Sequence, residues 1–245
     1  MRLKPTKKFW LRVTAAVLGI LVLYWALLCF PQPFFQSSVS ANNLALYSDQ
    51  PFSAEEAKKI LETVETKLAA SPLYSSEQHH VAFICNARWR QRLFFNRNYG
   101  VAGVNQYPLT SNVFLRDAVI EENRLIGPSG KQVPGDRTLD YFITHEITHT
   151  LTVQAVGWFD YYNLPQWVRE GYADYVAKGN AFNYDEARRA FLADAPEMDW
   201  KRSGLYLRYH LLVAHLLDKQ HWSVQRLLEE YPEQQTVEEA VRAEQ

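Results

Sequence analysis

Two histidines four positions apart, His145 and His149, with a glutamate, Glu170, 21 positions further on, constrain this 245-residue chain more than any other feature. A helical turn takes 3.6 residues, so His145 and His149 leave one face of a helix and both imidazoles can reach one ion. Glu146 lies between them in His145-Glu146-Ile147-Thr148-His149, placed to hold a metal-bound water and take its proton. A catalytic zinc usually takes three protein ligands and leaves a fourth position for water. Glu170, in Glu170-Gly171-Tyr172-Ala173-Asp174, can supply the third ligand. Asp174 shares its helical face and is placed to accept a hydrogen bond from the non-ligating nitrogen of a metal-bound histidine.

The surrounding residues suit helices. Asp136 or Thr138 can cap the first, and Leu139, Phe142, Ile143, Ile147, Thr150 and Leu151 recur at three- and four-residue steps, as an amphipathic helix requires. His145 and His149 sit beside that stripe. Leu164-Pro165 opens the second helix. Taken alone, HEITH also reads as two core histidines around an exposed glutamate; the motif favours a metal site, and the later Glu170 and Asp174 strengthen it.

These residues, HEITH and then WVREGYADY, resemble the gluzincin branch of the zincin metallopeptidases, which includes thermolysin-like enzymes and the large zinc aminopeptidases. The resemblance spans roughly residues 81–217, and its specific part is His145 to Tyr175. It implies an α+β, zincin-like fold, with a small sheet packed on the HExxH helix and a helical lower lobe after it. It implies Zn2+ held by His145, His149 and Glu170, with Glu146 as general base, Asp174 behind a ligand, and a peptide or protein as substrate. Gluzincins usually add a tyrosine or histidine donor from a later helix; Tyr206 is the first choice and His210, on the same face, the second. By the same resemblance, Val113-Phe114-Leu115 is the candidate strand bordering the cleft and pairing with substrate backbone. The chain's length suits a compact minigluzincin. Metzincins would need a third histidine soon after Gly157, and none occurs before His210. The aminopeptidases carry a glutamate in a Gly-x-Met-Glu-Asn stretch, whereas Gly100 to Asn105 holds no acidic residue, so an endopeptidase is expected.

The amino terminus reads as a membrane segment. Arg2, Lys4, Lys7, Lys8 and Arg12 precede an uncharged run of 18 residues, Val13 to Phe30, just long enough for a bilayer core. Its flanking charges would keep the amino terminus in the cytoplasm and send the rest across, giving a single-pass protein with its catalytic domain on the extracytoplasmic side. A cleaved signal peptide is the alternative, with Val39-Ser40-Ala41 as the site, although that site lies well past the run. Leu28 before Cys29 argues against a lipoprotein. The expected division is a signal anchor at 1–30, a linker at 31–50 and a metallopeptidase domain at 51–245. Five of the 26 basic and none of the 27 acidic residues fall in the anchor, so residues 31–245 carry 21 basic against 27 acidic, a net of −6. No basic stripe remains to bind nucleic acid. Cys29 and Cys85 cannot pair across a membrane.

Elsewhere, Ser53-Ala54-Glu55-Glu56 is a capping box opening a helix to about Ala70, and Thr236-Val237-Glu238-Glu239 is another near the end. Val81 to Cys85 and Asn112 to Arg116 are strand candidates. Helices are expected over 185–194, 204–219 and 223–231. His79, His80, His215 and His221 read as turn, helix-end or surface residues. Two functions share the metal site: a metallopeptidase, and an inactive zinc-binding assembly protein on the membrane. A third reading, an accidental HExxH in a metal-free scaffold, has Glu170 and Asp174 against it.

Overall fold

The apolar run forms α1 (Lys7–Cys29), begun by the Thr6 hydroxyl, which accepts the Phe9 amide at 3.3 Å. The computed structural model describes residues 6–244, so Arg2 and Lys4 lie outside the described residues. Among the described residues, α1 is the one helix long and apolar enough to cross a bilayer.

A hairpin follows: β1 (Ser37–Ala41) and β2 (Leu44–Ser48), turned through Asn42 at φ 52°. Residues 31–50 are therefore not the expected linker, because ten of them are strand. α2 (Ala54–Ala69) buries Ala57, Ile60, Leu61, Val64 and Leu68, the inward stripe of an amphipathic helix. Its Ser53 cap forms as predicted, accepting the Glu56 amide at 3.4 Å. The return bond of the capping box is replaced by a distant one: the Ser53 amide donates to the Glu121 carboxylate at 3.0 Å.

Next come β3 (His80–Cys85), α3 (Arg88–Phe95), β4 (Gly103–Asn105), β5 (Val113–Arg116) and a small ribbon of β6 (Ala118–Val119) and β7 (Arg124–Leu125). The rest is helical: α4 (Leu139–Val156), α5 (Trp158–Asn163), α6 (Gln166–Lys178), α7 (Tyr184–Leu192), α8 (Trp200–Ser203), α9 (Leu207–Ala214), α10 (Val224–Glu230) and α11 (Gln234–Ala243). The helix expected over 204–219 is α-helical only from Leu207, and it loosens into a π turn over His215–Lys219. The last helix opens two residues before the predicted Thr236 box.

The architecture is α+β, with one mixed sheet in the order β1-β2-β3-β5-β4. β2, β3 and β5 run parallel; β1 and β4 are antiparallel edges. Both faces are covered, so the inner strands are apolar on both sides instead of alternating. Ala82, Ile84, Val113 and Leu115 face the large core that includes α2 and α4. Phe83, Cys85, Val104 and Phe114 face a smaller one. His80 and His215 are buried, against expectation; His80 begins β3, and burial pushes its pKa down to about 4.

The smaller core is completed by α1. Leu28 is fully buried among Phe35, Phe83, Phe94, Phe95 and Phe114. Tyr24 donates to the Leu93 carbonyl at 3.1 Å and the Trp25 indole to the Leu109 carbonyl at 3.0 Å. The Asn112 amide donates to the Leu28 and Cys29 carbonyls at 2.8 and 3.2 Å, satisfying groups that a helix end leaves bare. Cys29 and Cys85 are both free thiols. Cleavage after Ala41 would strip out both this plug and β1. Leu28→Ala should cost about 2–5 kcal/mol, as a buried Leu-to-Ala change does. The full chain in detergent should then melt several degrees lower; an unmoved Tm would mean the plug is not part of the folded core.

Candidate metal centre

α4 is not the amphipathic helix its spacing suggested: 14 of its 18 residues are buried. Its threonines are satisfied within the helix. Thr144, Thr148 and Thr152 donate their hydroxyls to the carbonyls of Asp140, Thr144 and Thr148 at 2.8–2.9 Å. Neither Asp136 nor the Thr138 side chain caps the helix. Asn123, in a left-handed conformation at φ 51°, does so from the β6–β7 ribbon: its side-chain oxygen accepts the Asp140 amide at 3.0 Å, and its carbonyl accepts that of Leu139. Lys67 of α2 bonds the Asp140 carboxylate at 2.5 Å. The helix is thus pinned at its start before the functional turn is reached.

Two turns in, the Nε2 atoms of His145 and His149 lie 3.1 Å apart. α6 crosses alongside and brings Glu170 Oε2 to 3.3 Å from His145 Nε2 and 3.5 Å from His149 Nε2. Three lone-pair donors thus converge on one point from two helices, a group able to hold a metal ion. The far nitrogen of His149 is oriented by the Tyr161 hydroxyl at 3.0 Å. That of His145 is buried without a partner.

Asp174 does not fill that position. One of its oxygens accepts the Tyr141 hydroxyl, and the other accepts His210 Nδ1–H at 2.9 Å. Burial pushes its carboxyl up, but the His210 bond and charge, Lys178 and Tyr141 outweigh it and hold the pKa down to about 2. His210, the second candidate donor, is fully buried with its ring stacked on Phe182, so it faces away from the cleft. It ties α9 to α6 instead. Gly171 serves the same contact: a Cβ there would lie 2.6 Å from the Tyr209 carbonyl oxygen. Of the Glu-Gly-Tyr-Ala-Asp stretch, only Glu170 looks toward the two histidines, while Gly171 and Asp174 seat the next helix.

Tyr206 does line the cleft, its ring parallel to that of His145 with centroids 5.9 Å apart. Burial, then the charges of Glu170 and Glu146, raise its pKa, so at neutral pH it keeps its proton and can donate. Glu146 also faces the cleft. Burial raises its pKa, and the two histidines pull it partly back.

The cleft measures about 620 Å³ and is bordered by Gly103 to Asn105, not by Val113 to Leu115. Those three residues are fully buried in β5, hydrogen-bonded on one side to β3 and on the other to β4, so they have no free edge. β4 is the edge strand. It approaches α4 so closely that a Cβ on Gly103 would lie 2.7 Å from Glu146 Oε1, and the Asn105 side chain bonds Thr150. Sequence reasoning missed Gly103 and Tyr161. Tyr161 sits in Trp158-Phe159-Asp160-Tyr161-Tyr162, where aromatic residues so dominate that no periodicity marks which one turns inward.

No protein-family model matches this chain, and comparison with curated proteins finds no match.

The Asp174 carboxyl has a folded pKa of about 2, against ~3.9 in an unfolded chain. Its contribution, about 2–3 kcal/mol, is present in full above pH ~5 and is lost progressively as pH falls from there through the folded pKa. Asp174→Asn should therefore melt below wild type at pH 7, with the gap narrowing below pH ~5. A gap independent of pH would contradict the assignment of an ionised Asp174.

Proposed function

We propose that this chain is a membrane-anchored zinc metallopeptidase of the compact gluzincin type, hydrolysing peptide bonds within a polypeptide. One observation carries the reading. The three candidate ligand atoms are separated by 3.1, 3.3 and 3.5 Å. A tetrahedral zinc with bonds of about 2.0–2.1 Å needs ligand atoms about 3.3–3.4 Å apart. Two imidazole nitrogens, one carboxylate oxygen and an open side toward the cleft suit that ion and leave room for water. The small sheet on the HExxH helix, followed by helices, is compatible with a zincin-like arrangement.

Zinc, when bound, supplies a Lewis acid that brings a water's pKa towards about 7. Glu146 takes the proton of the attacking water and hands it to the departing amine. The Tyr206 phenol donates to the oxygen that gains charge. The free edge of β4 offers main-chain groups to an extended substrate, giving affinity through backbone hydrogen bonds. α1 spans the membrane with Lys7, Lys8 and Arg12 inside, leaving the cleft on the extracytoplasmic side.

The inactive alternative shares the ligands but has no use for Glu146. A half-buried carboxylate packed against a strand that only glycine permits favours the enzyme. In the full chain, Glu146→Gln should keep about one zinc per chain and lose 10²–10⁴-fold in turnover of a mixed peptide library. His145→Ala should lose both the metal and the turnover. Zinc bound by wild type without cleavage of any peptide would make the protein a structural zinc module; no zinc would sink the site.

Gly103→Ala tests the strand separately. Its methyl group would displace Glu146 and also press on Leu115 Cδ2, 2.7 Å away in the core, so kcat should fall at least tenfold while zinc content holds and Tm drops by a few degrees. Unchanged kcat would remove the strand from the reaction.

A further inference from the structure

We propose that the rim of the cleft, formed by the 107–109 loop and α5, sits in the headgroup region of a lipid bilayer. The cleft then opens along the membrane surface, and its substrates are polypeptide segments held next to a membrane. The proposal rests on reading α1 as a membrane span.

The argument begins with length. The uncharged part of α1, Val13 to Cys29, rises 1.5 Å per residue and is about 26 Å long, against a hydrocarbon core of about 30 Å. All of it is needed to cross. Yet the domain grips the helix before its end. The Trp25 indole, about 6 Å short of Cys29 along the axis, donates to the Leu109 carbonyl, and Tyr24 donates to Leu93. The 107–109 loop is thereby drawn down to the boundary between headgroups and acyl chains, and Leu109 is 47 % exposed there.

α5 is fastened to the same loop: the Tyr162 hydroxyl donates to the Tyr107 carbonyl at 3.0 Å. On this helix Trp158, Phe159 and Tyr162 are 54, 67 and 56 % exposed, and Asp160 is its only charge. Rings of this size left open to water side by side mark a contact surface. Tryptophan and tyrosine are the residues that bilayer interfaces collect. Continuity with the anchor identifies the occupant as lipid. Tyr107, Tyr161 and Tyr162 also line the cleft, so its mouth shares the depth of this rim.

The test uses the full chain reconstituted in phosphatidylcholine vesicles brominated near the headgroup end of the acyl chains. Bromine quenches only tryptophans that touch it. Among seven tryptophans, removing a quenched one lowers the quenched fraction of the emission, and removing an unquenched one raises it. Trp158→Phe and Trp25→Phe should both lower it. If Trp25→Phe lowers the fraction and Trp158→Phe raises it, the rim faces water or a protein partner; the proposal is overturned while the anchor stands. If Trp25→Phe raises it, α1 does not lie in the bilayer, and anchor and rim fall together.

Discussion

Bringing two imidazole nitrogens and a carboxylate oxygen within 3.5 Å of one another is the demand to which the rest of this structure answers. Groups that each prefer a proton or water to one another's company stay together only if their helices cannot slide. α4 is immobilised by the burial of 14 of its 18 residues, by its threonine ladder and by the cap that Asn123 brings from another part of the chain. α6 is held from behind. Gly171 lets α9 approach to van der Waals contact, and the buried Tyr141–Asp174–His210 chain joins all three helices through one carboxylate. The polar interior is thus concentrated in two places, one open to the cleft and one closed behind it, and the closed one holds the open one in shape.

How much of this was legible in the sequence follows from how local each signal is. The convergence of His145, His149 and Glu170 was, because helical periodicity sets the first two and the third lies at the start of the next long helix. The partner of Asp174 was not. Spacing places Asp174 on the face it shares with Glu170, but α6 lies between α4 and α9, and nothing local says which neighbour a residue one turn further on will meet. His210, read as a donor to the cleft, belongs to that same ambiguity. Tyr206, four residues earlier, precedes the first turn of α9 and so points elsewhere.

The edge strand was misplaced for a different reason. Sheet order does not follow chain order here: β4 precedes β5 in sequence but lies outside it. β5 has the stronger apolar signal because it is interior, and the three-residue β4, beginning with a glycine, has almost none. The hairpin within the expected linker was obscured in a similar way. Pro31, Pro33 and several Ser and Asn residues suggested a tether, while Val39, Leu44 and Leu46 were the inward residues of two short strands.

β4 also joins two parts of the molecule that otherwise have no reason to share a fate. Val104 turns into the small core beside Leu28, while Gly103 and Asn105, its neighbours on either side, turn toward α4. Alternation along a strand is strict, so one inserted or deleted residue would exchange the two faces. A bulky side chain would then be thrust against Glu146, and a glycine would leave a hole opposite Leu28. The frame of this short strand is therefore locked at both faces at once. Changes in chain length can be absorbed in the loops on either side, 96–102 and 106–112, but not within the three residues between them.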